Sequence, residues 1–167
     1  VSVTEQHATE LYAELYEPLR RYLARFTGDA DLAADIAQEA FVRLLERPPE
    51  SAARPWLFRV ATNLARDDRR ARTRHRLLGF RGRAQLAHAD PPPSPEQTVD
   101  RTTARQLVNR ALEALSPKER MALLMREEGF AHREIAEAVG TTTGSVGTLL
   151  ARAIAKAASR LQQPQED

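Results

Sequence analysis

Cysteine is absent from the 167-residue chain, which excludes a disulfide framework, a thiolate metal site and a cysteine nucleophile. The four histidines, His7, His75, His88 and His132, are scattered, and no pair has the spacing of a zinc-binding helix. No apolar run reaches the ~18 residues of a membrane span. No charged-then-apolar leader opens the chain. The sequence is therefore expected to be that of a soluble, cytoplasmic protein with no membrane insertion. Gly-rich phosphate loops, nucleophile–base pairs and metal clusters are also missing, so neither an enzyme nor a cofactor is expected. Aromatic residues are scarce at 5%, but hydrophobic residues reach 42%, enough for compact helical cores. Lysine is scarce too: all but Lys118 and Lys156 of the 25 basic residues are arginine.

What is present is unevenly placed. The formal net charge is only +2, yet residues 66–83 carry eight Arg against Asp67 and Asp68. Residues 1–65 and 84–167 are each slightly acidic. A local cationic cluster of this kind fits a phosphate backbone, although an arginine-rich solvated helix face would read the same way.

Strand-like alternation does not persist anywhere, and apolar residues recur instead at helical spacing. The chain reads as all-α, with two small helical domains joined by a Pro-rich linker. The expected boundaries are 1–78 for the first domain, 79–97 for the linker around Pro91, Pro92, Pro93 and Pro95, and 98–167 for the second. In the first domain Leu11, Leu15, Leu19, Tyr22, Leu23 and Phe26 mark one helix, which Pro18 should kink or restart and Gly28 should close. Asp29 or Asp31 caps the next, whose apolar stripe is Leu32, Ile36, Ala40, Phe41 and Leu44. A third helix begins near Pro55, with Leu57, Val60, Ala61 and Leu64 as its core stripe.

Four helical segments are expected in the second domain. Leu107, Ala111, Leu112 and Leu115 mark the first. Ser116-Pro117-Lys118-Glu119 is a capping box with Pro at the first helical position, and Gly129 ends the helix it starts. Residues 132–139 then form a short helix, Gly140 supplies a tight turn, and Thr142 or Thr143 caps a long last helix. Short helix, glycine turn and second helix, with Ile135 and Ala136 facing Val146 and Leu150, have helix-turn-helix spacing, in which the second helix enters the DNA major groove. An ordinary helical hairpin could show the same apolar pattern.

Two further faces carry chemistry. Opposite the apolar side of the third helix, Trp56, Arg59, Asn63, Arg66, Arg70 and Arg74 follow one another at intervals of three or four. Guanidiniums suit phosphates, and an aromatic ring and an amide suit an unstacked base. Trp56 equally fits core packing, and Asn63 a solvated position. On the second helix Asp35, Gln38 and Glu39 lie off the apolar stripe, as a solvated face or as a docking patch for a basic partner.

These features, in this order, resemble the extracytoplasmic-function group of bacterial RNA polymerase sigma factors. Asp35-x-x-Gln38-Glu39-x-Phe41 is similar to the family's polymerase-docking helix. The run from Trp56 to Leu64, followed by Asp67 and the arginines, is similar to the helix that reads and melts the −10 promoter element. Leu115-Ser116-Pro117-x-Glu119-Arg120 and the helix-turn-helix are similar to the −35-binding domain. The resemblance implies a protein that binds core RNA polymerase and directs promoter recognition and transcription initiation. Asp35, Gln38 and Glu39 would then meet the clamp helices of the β′ subunit, and the β subunit would be a further contact. Asn63 and the loop at residues 47–54 would capture a flipped −10 base, with Trp56, Arg59, Arg66, Arg69, Arg70 and Arg74 on the adjacent DNA. Thr143, Ser145, Thr148 and Arg152 would face −35 DNA. An anti-sigma protein is a further implied partner.

The last helix departs from the family's pattern. Directly after the Val that matches Val146, family members usually carry Lys or Arg, then Ser, then Arg; here Gly147, Thr148 and Leu149 stand instead. Ala131 also replaces a favoured capping Ser or Thr. Two other readings stay open on the sequence: a stand-alone helix-turn-helix DNA-binding regulator, and a sigma-like decoy that only binds an anti-sigma protein.

Overall fold

Leucines and aromatics at helical spacing bury one side of the first helix, α1 (Glu5–Thr27), through Leu15, Leu19, Tyr22, Leu23 and Phe26. The computed structural model of the chain describes residues 5–78 and 95–163. Pro18 lies within α1 and does not restart it. An internal proline costs about 3 kcal/mol in an isolated helix, but the buried residues on both sides hold the helix against its neighbours. Gly28, at φ +76°, closes α1. Asp29 is the cap of α2 (Ala30–Glu46): its carboxylate accepts the Asp31 and Leu32 amides at 3.0 Å. Helix α2 buries Ala33, Ile36, Ala37, Ala40, Phe41 and Leu44, while Leu32 is half-buried. It stops before Pro48 and Pro49.

Helix α3 (Ala53–Leu77) has buried Pro55 in its first turn. Its core residues are Leu57, Phe58, Ala61, Thr62 and Ala65. This corrects the expected stripe: Val60 and Leu64 are only half-buried. The buried arc is rotated toward Phe58 because α3 packs on both α1 and α2, and the Phe58 ring meets Tyr22 at 5.0 Å between centroids. The Thr62 hydroxyl donates to the Phe58 carbonyl and lies 2.7 Å from the Tyr22 hydroxyl. With its one proton spent, Thr62 accepts from Tyr22, so both buried hydroxyls are satisfied. Beyond Ala65 the helix outruns the core, and Arg69, Arg70, Arg72, Thr73, Arg74 and His75 are exposed.

The chain divides into two compact units, Val1–Ala87 and His88–Asp167. In the second unit α4 (Pro95–Glu113) begins within the stretch expected as linker, so residues 95–97 are helical. The rest of that stretch, 79–94, lies outside the described residues. The capping box opens α5 (Pro117–Glu127) as expected: the Ser116 hydroxyl accepts the Glu119 amide at 3.2 Å, and the Ser116 amide donates to the Glu119 carboxylate at 2.9 Å. Arg120 is nearly buried, and its Nε donates to the Leu112 carbonyl at 2.9 Å, tying α5 to the end of α4. Gly129, at φ +83°, turns the chain toward buried Phe130. Helix α6 (His132–Val139) and α7 (Thr143–Gln162) follow, joined through Gly140 at φ +77°. Ile135, Ala136, Val146 and Leu150 are buried, where the two helices pack.

Two caps differ from a simple side-chain cap. Ala131 precedes α6 and has no acceptor; the Glu134 carboxylate instead accepts the Ala131 amide at 2.8 Å. Thr142 occupies the cap position of α7, but its hydroxyl pairs with Ser145 at 2.8 Å and makes no capping bond to a backbone amide.

Candidate nucleic-acid interface

Because the core of α3 is centred on Phe58, Ala61 and Ala65, the opposite side of the helix must face outward. Arg59, Asn63, Arg70 and Arg74 are exposed there, and Trp56 and Arg66 are half-buried. Helical periodicity brings these six onto one face. Arg69 is exposed as well, but falls in line with Phe58 and Ala65, on the side away from Asn63. Half-buried Val60 and Leu64 flank Trp56 and give the face an apolar margin. Asp67 shares the face and lies 3.9 Å from Arg70, while Arg72 pairs with Asp68 at 2.7 Å on a neighbouring side. The loop that precedes Trp56 is exposed at Arg47, Pro48, Glu50, Ser51 and Ala52. A flat ring, an amide and several guanidiniums side by side can stack on a base, bond its edge and hold the neighbouring phosphates.

On α2, Asp35, Gln38 and Glu39 are all exposed. Glu39 holds Arg43 through a 2.9 Å ion pair. Sequence reasoning missed their apolar neighbours: Val42 is 47% and Leu45 57% exposed. Both lie within two turns of Gln38 on the same side of the helix. Tyr12 is 43% exposed, stacks on Tyr16 at 4.7 Å and meets Phe41 at 4.9 Å. The available signal was that Val42 and Leu45 fall outside the apolar stripe of Ile36, Ala40 and Leu44.

In the second unit Ser145, Thr148 and Arg152 are exposed along one stripe of α7, and Thr143 is exposed in its first turn on a different side. Gly147 is exposed and Leu149 half-buried. An ion pair that the sequence did not reveal ties α7 to the start of α5. Lys156 Nζ donates to both carboxylate oxygens of Glu119, at 2.8 and 2.9 Å. Burial pushes the Glu119 carboxyl up, but hydrogen bonds from Lys156 and Ser116 outweigh it and hold it below the ordinary value of 4.5. A folded-state value below the unfolded one means stabilisation that is complete above the ordinary carboxylate range and is lost as pH falls through the folded value. Glu119→Gln is therefore expected to destabilise the second unit by about 1–2 kcal/mol at pH 7, a buried-pair penalty reduced because Lys156 is half-exposed. The difference from the parent should shrink steadily below pH 4.5. Urea melts of both proteins from pH 7 down to 3.5 check this; a difference that stays constant across that range would remove Glu119 from the role.

Among the described residues no group of His, Asp and Glu is placed to hold a metal ion, and no helix is long and apolar enough to cross a membrane.

The comparisons with known proteins follow the same division of the chain. Residues 11–75 match the family model for sigma-70 region 2, and residues 105–156 that for sigma-70 region 4. The chain is similar to the ECF RNA polymerase sigma factor SigL of Mycobacterium tuberculosis, at 32% identity over 92% of this chain and 88% of that protein. It is similar to the RNA polymerase sigma factor YlaC of Bacillus subtilis, at 28% identity over 86% of each. Its fold resembles the sigma factor RpoE of Bartonella quintana, solved in complex with the anti-sigma factor NepR, with a TM-score of 0.66 at 19% identity over 97% of this chain and 100% of that one. It also resembles CnrH, solved in complex with the cytosolic domain of CnrY, with a TM-score of 0.62 at 21% identity over 95% and 89% of the two chains.

Proposed function

This chain belongs to the extracytoplasmic-function group of RNA polymerase sigma factors, and on that premise we propose a division of labour between its two units. The first unit docks on core polymerase and opens the −10 element; the second binds the −35 element. The observation that carries this reading is the outward face of α3, where Trp56, Asn63 and four arginines stand together on the unit that matches region 2. Unstacking a base costs a few kcal/mol, and capture in a protein pocket offsets it. Asn63 and residues 47–54, whose last two belong to the first turn of α3 and not to the loop, form that pocket. Arg59, Arg66, Arg70 and Arg74 hold the adjacent backbone, and Arg69, on the side away from Asn63, is left out of that contact. Asp35, Gln38 and Glu39 dock on the clamp helices of the β′ subunit, and the β subunit is a further contact. Thr143, Ser145, Thr148 and Arg152 face the −35 duplex. The protein acts in the cytoplasm as a regulatory subunit without catalysis of its own, and an anti-sigma protein controls it, a kind of partner with which the sigma factor RpoE was solved.

Run-off transcription with core polymerase tests this. Asn63→Ala is expected to cost about 1 kcal/mol of base capture, roughly a fivefold loss of open complex on duplex promoters. It should cost much less on a template already unpaired across the −10 element. Equal loss on both templates would make Asn63 structural. A second reading rests on Gly147 and Leu149, which stand where the family carries cations: a decoy that binds an anti-sigma protein without initiating. Failure of the parent protein to support run-off on any promoter of a library would favour it.

A further inference from the structure

A groove of about 640 Å³ runs between α4 and α7 in the second unit. Its walls carry Arg110 from α4 and Arg152, Lys156 and Arg160 from α7, against a single carboxylate, Glu113. Lys156 is shared with Glu119 behind it, and the Arg160 guanidinium donates to the Gln163 side chain at 2.6 Å. Arg110 and Arg152, on opposite walls, make no side-chain hydrogen bond or ion pair among the described residues. Between the cations the surface is small: Ala114, Ala155 and Ser159.

The groove is continuous with the stripe expected to meet DNA. Ser145, Thr148, Arg152, Lys156 and Ser159 succeed one another on one side of α7, one turn at a time. Arg152 belongs to both surfaces. From Arg152 to Arg160 the cations extend about 12 Å along the helix.

Resting on the reading of this unit as the −35-binding one, we propose that the groove holds the phosphate backbone of the DNA flanking that element, through Arg110, Arg152 and Arg160. The lining decides between a polyanion and a protein. An amphipathic helix needs an apolar floor to bury its own face, and no large apolar side chain lines this groove. A sugar–phosphate strand needs fixed cations on both sides and room between them, and the groove supplies both. The cations missing at Gly147 and Leu149 from the first turns of α7 are thus offset further along the same helix and across on α4.

The test uses the full chain and a labelled −35 duplex, with affinity measured by fluorescence anisotropy across a range of salt. Arg110→Gln with Arg160→Gln is expected to make the slope of log K against log salt shallower by about 0.9 for each phosphate no longer neutralised. At ~0.1 M salt that is roughly an eightfold loss of affinity per phosphate. The loss should be the same on cognate and scrambled duplexes, because phosphate contacts carry no sequence information. Arg110→Lys with Arg160→Lys should keep the slope, which separates charge from a packing role of the guanidiniums. If the parent binds and the neutral pair leaves its slope unchanged, the groove does not hold DNA, while the −35 reading survives. A neutral pair that loses binding to an acidic partner protein but not to DNA would give the groove to that partner. A parent with no salt-dependent binding to the duplex overturns both readings.

Discussion

Asp35→Arg combined with Glu39→Arg is expected to weaken binding to core RNA polymerase by about 100-fold while leaving the first unit folded. Both side chains are exposed on α2, so nothing in the core is touched. Within the chain the double substitution breaks the Glu39–Arg43 pair at 2.9 Å. Such exposed i,i+4 pairs contribute only ~0.3–0.5 kcal/mol. At an interface the same reversal sets like charges against each other and costs several kcal/mol. About 3 kcal/mol corresponds to roughly 100-fold in affinity. Pull-down with core polymerase, together with a thermal melt of the free variant, gives both numbers. Unchanged capture with an unchanged melt would place the docking surface elsewhere. Exposed Val42 and Leu45 beside these carboxylates suggest a sharper comparison. Leu45→Ala should lower affinity with little change in salt dependence, whereas the charge reversal should change both.

How far the sequence reveals this molecule depends on whether a feature is local. The capping box at Ser116 and Glu119, the cap at Asp29 and the glycine turns at 28, 129 and 140 are set by residues within a few positions of one another. Each is where its pattern points. The outward face of α3 follows as well, because helical spacing alone aligns Trp56, Asn63 and the arginines. What the sequence hides depends on contacts between elements. Periodicity places an apolar stripe on α3 but does not say that two helices share it, so Phe58 and Ala65 are buried where the pattern points to Val60 and Leu64. Glu119 and Lys156 are 37 residues apart, and nothing in either segment announces the other. Arg110 carries no signal of its own on α4 until α7 lies beside it. Arg69 is the converse case: its place in the arginine run suggests the DNA face, and the helical turn takes it off that face.

The first turns of α7 offer the clearest gain-of-function test. Gly147 stands where the family resemblance of the sequence implies a cation, and a Cβ at this position would meet no heavy atom within 4 Å. In Gly147→Arg the side chain can therefore leave the backbone without a clash at its first carbon. The position is exposed and lies one turn on from Thr143, on that residue's side of the helix and off the stripe of Ser145, Thr148 and Arg152. Two effects follow from the one substitution. Replacing glycine inside a helix stabilises it by up to ~1 kcal/mol, which raises the melting temperature and orders α7. The new guanidinium adds a phosphate contact, which steepens the slope of log K against log salt by about 0.9 and raises affinity roughly eightfold at ~0.1 M salt. Propensity leaves the number of released counterions unchanged, so the slope isolates the charge. Gly147→Ala supplies the control: it should recover most of the helix stability with the parent's slope. Affinity for the −35 duplex across salt, measured for the parent and both variants, distinguishes the cases. A steeper slope for Arg alone places this turn of α7 against DNA. Equal slopes in all three proteins, with higher melting temperatures in both variants, would mean that the turn at Gly147 faces solvent in the complex and that the helix meets the duplex only through Ser145, Thr148 and Arg152.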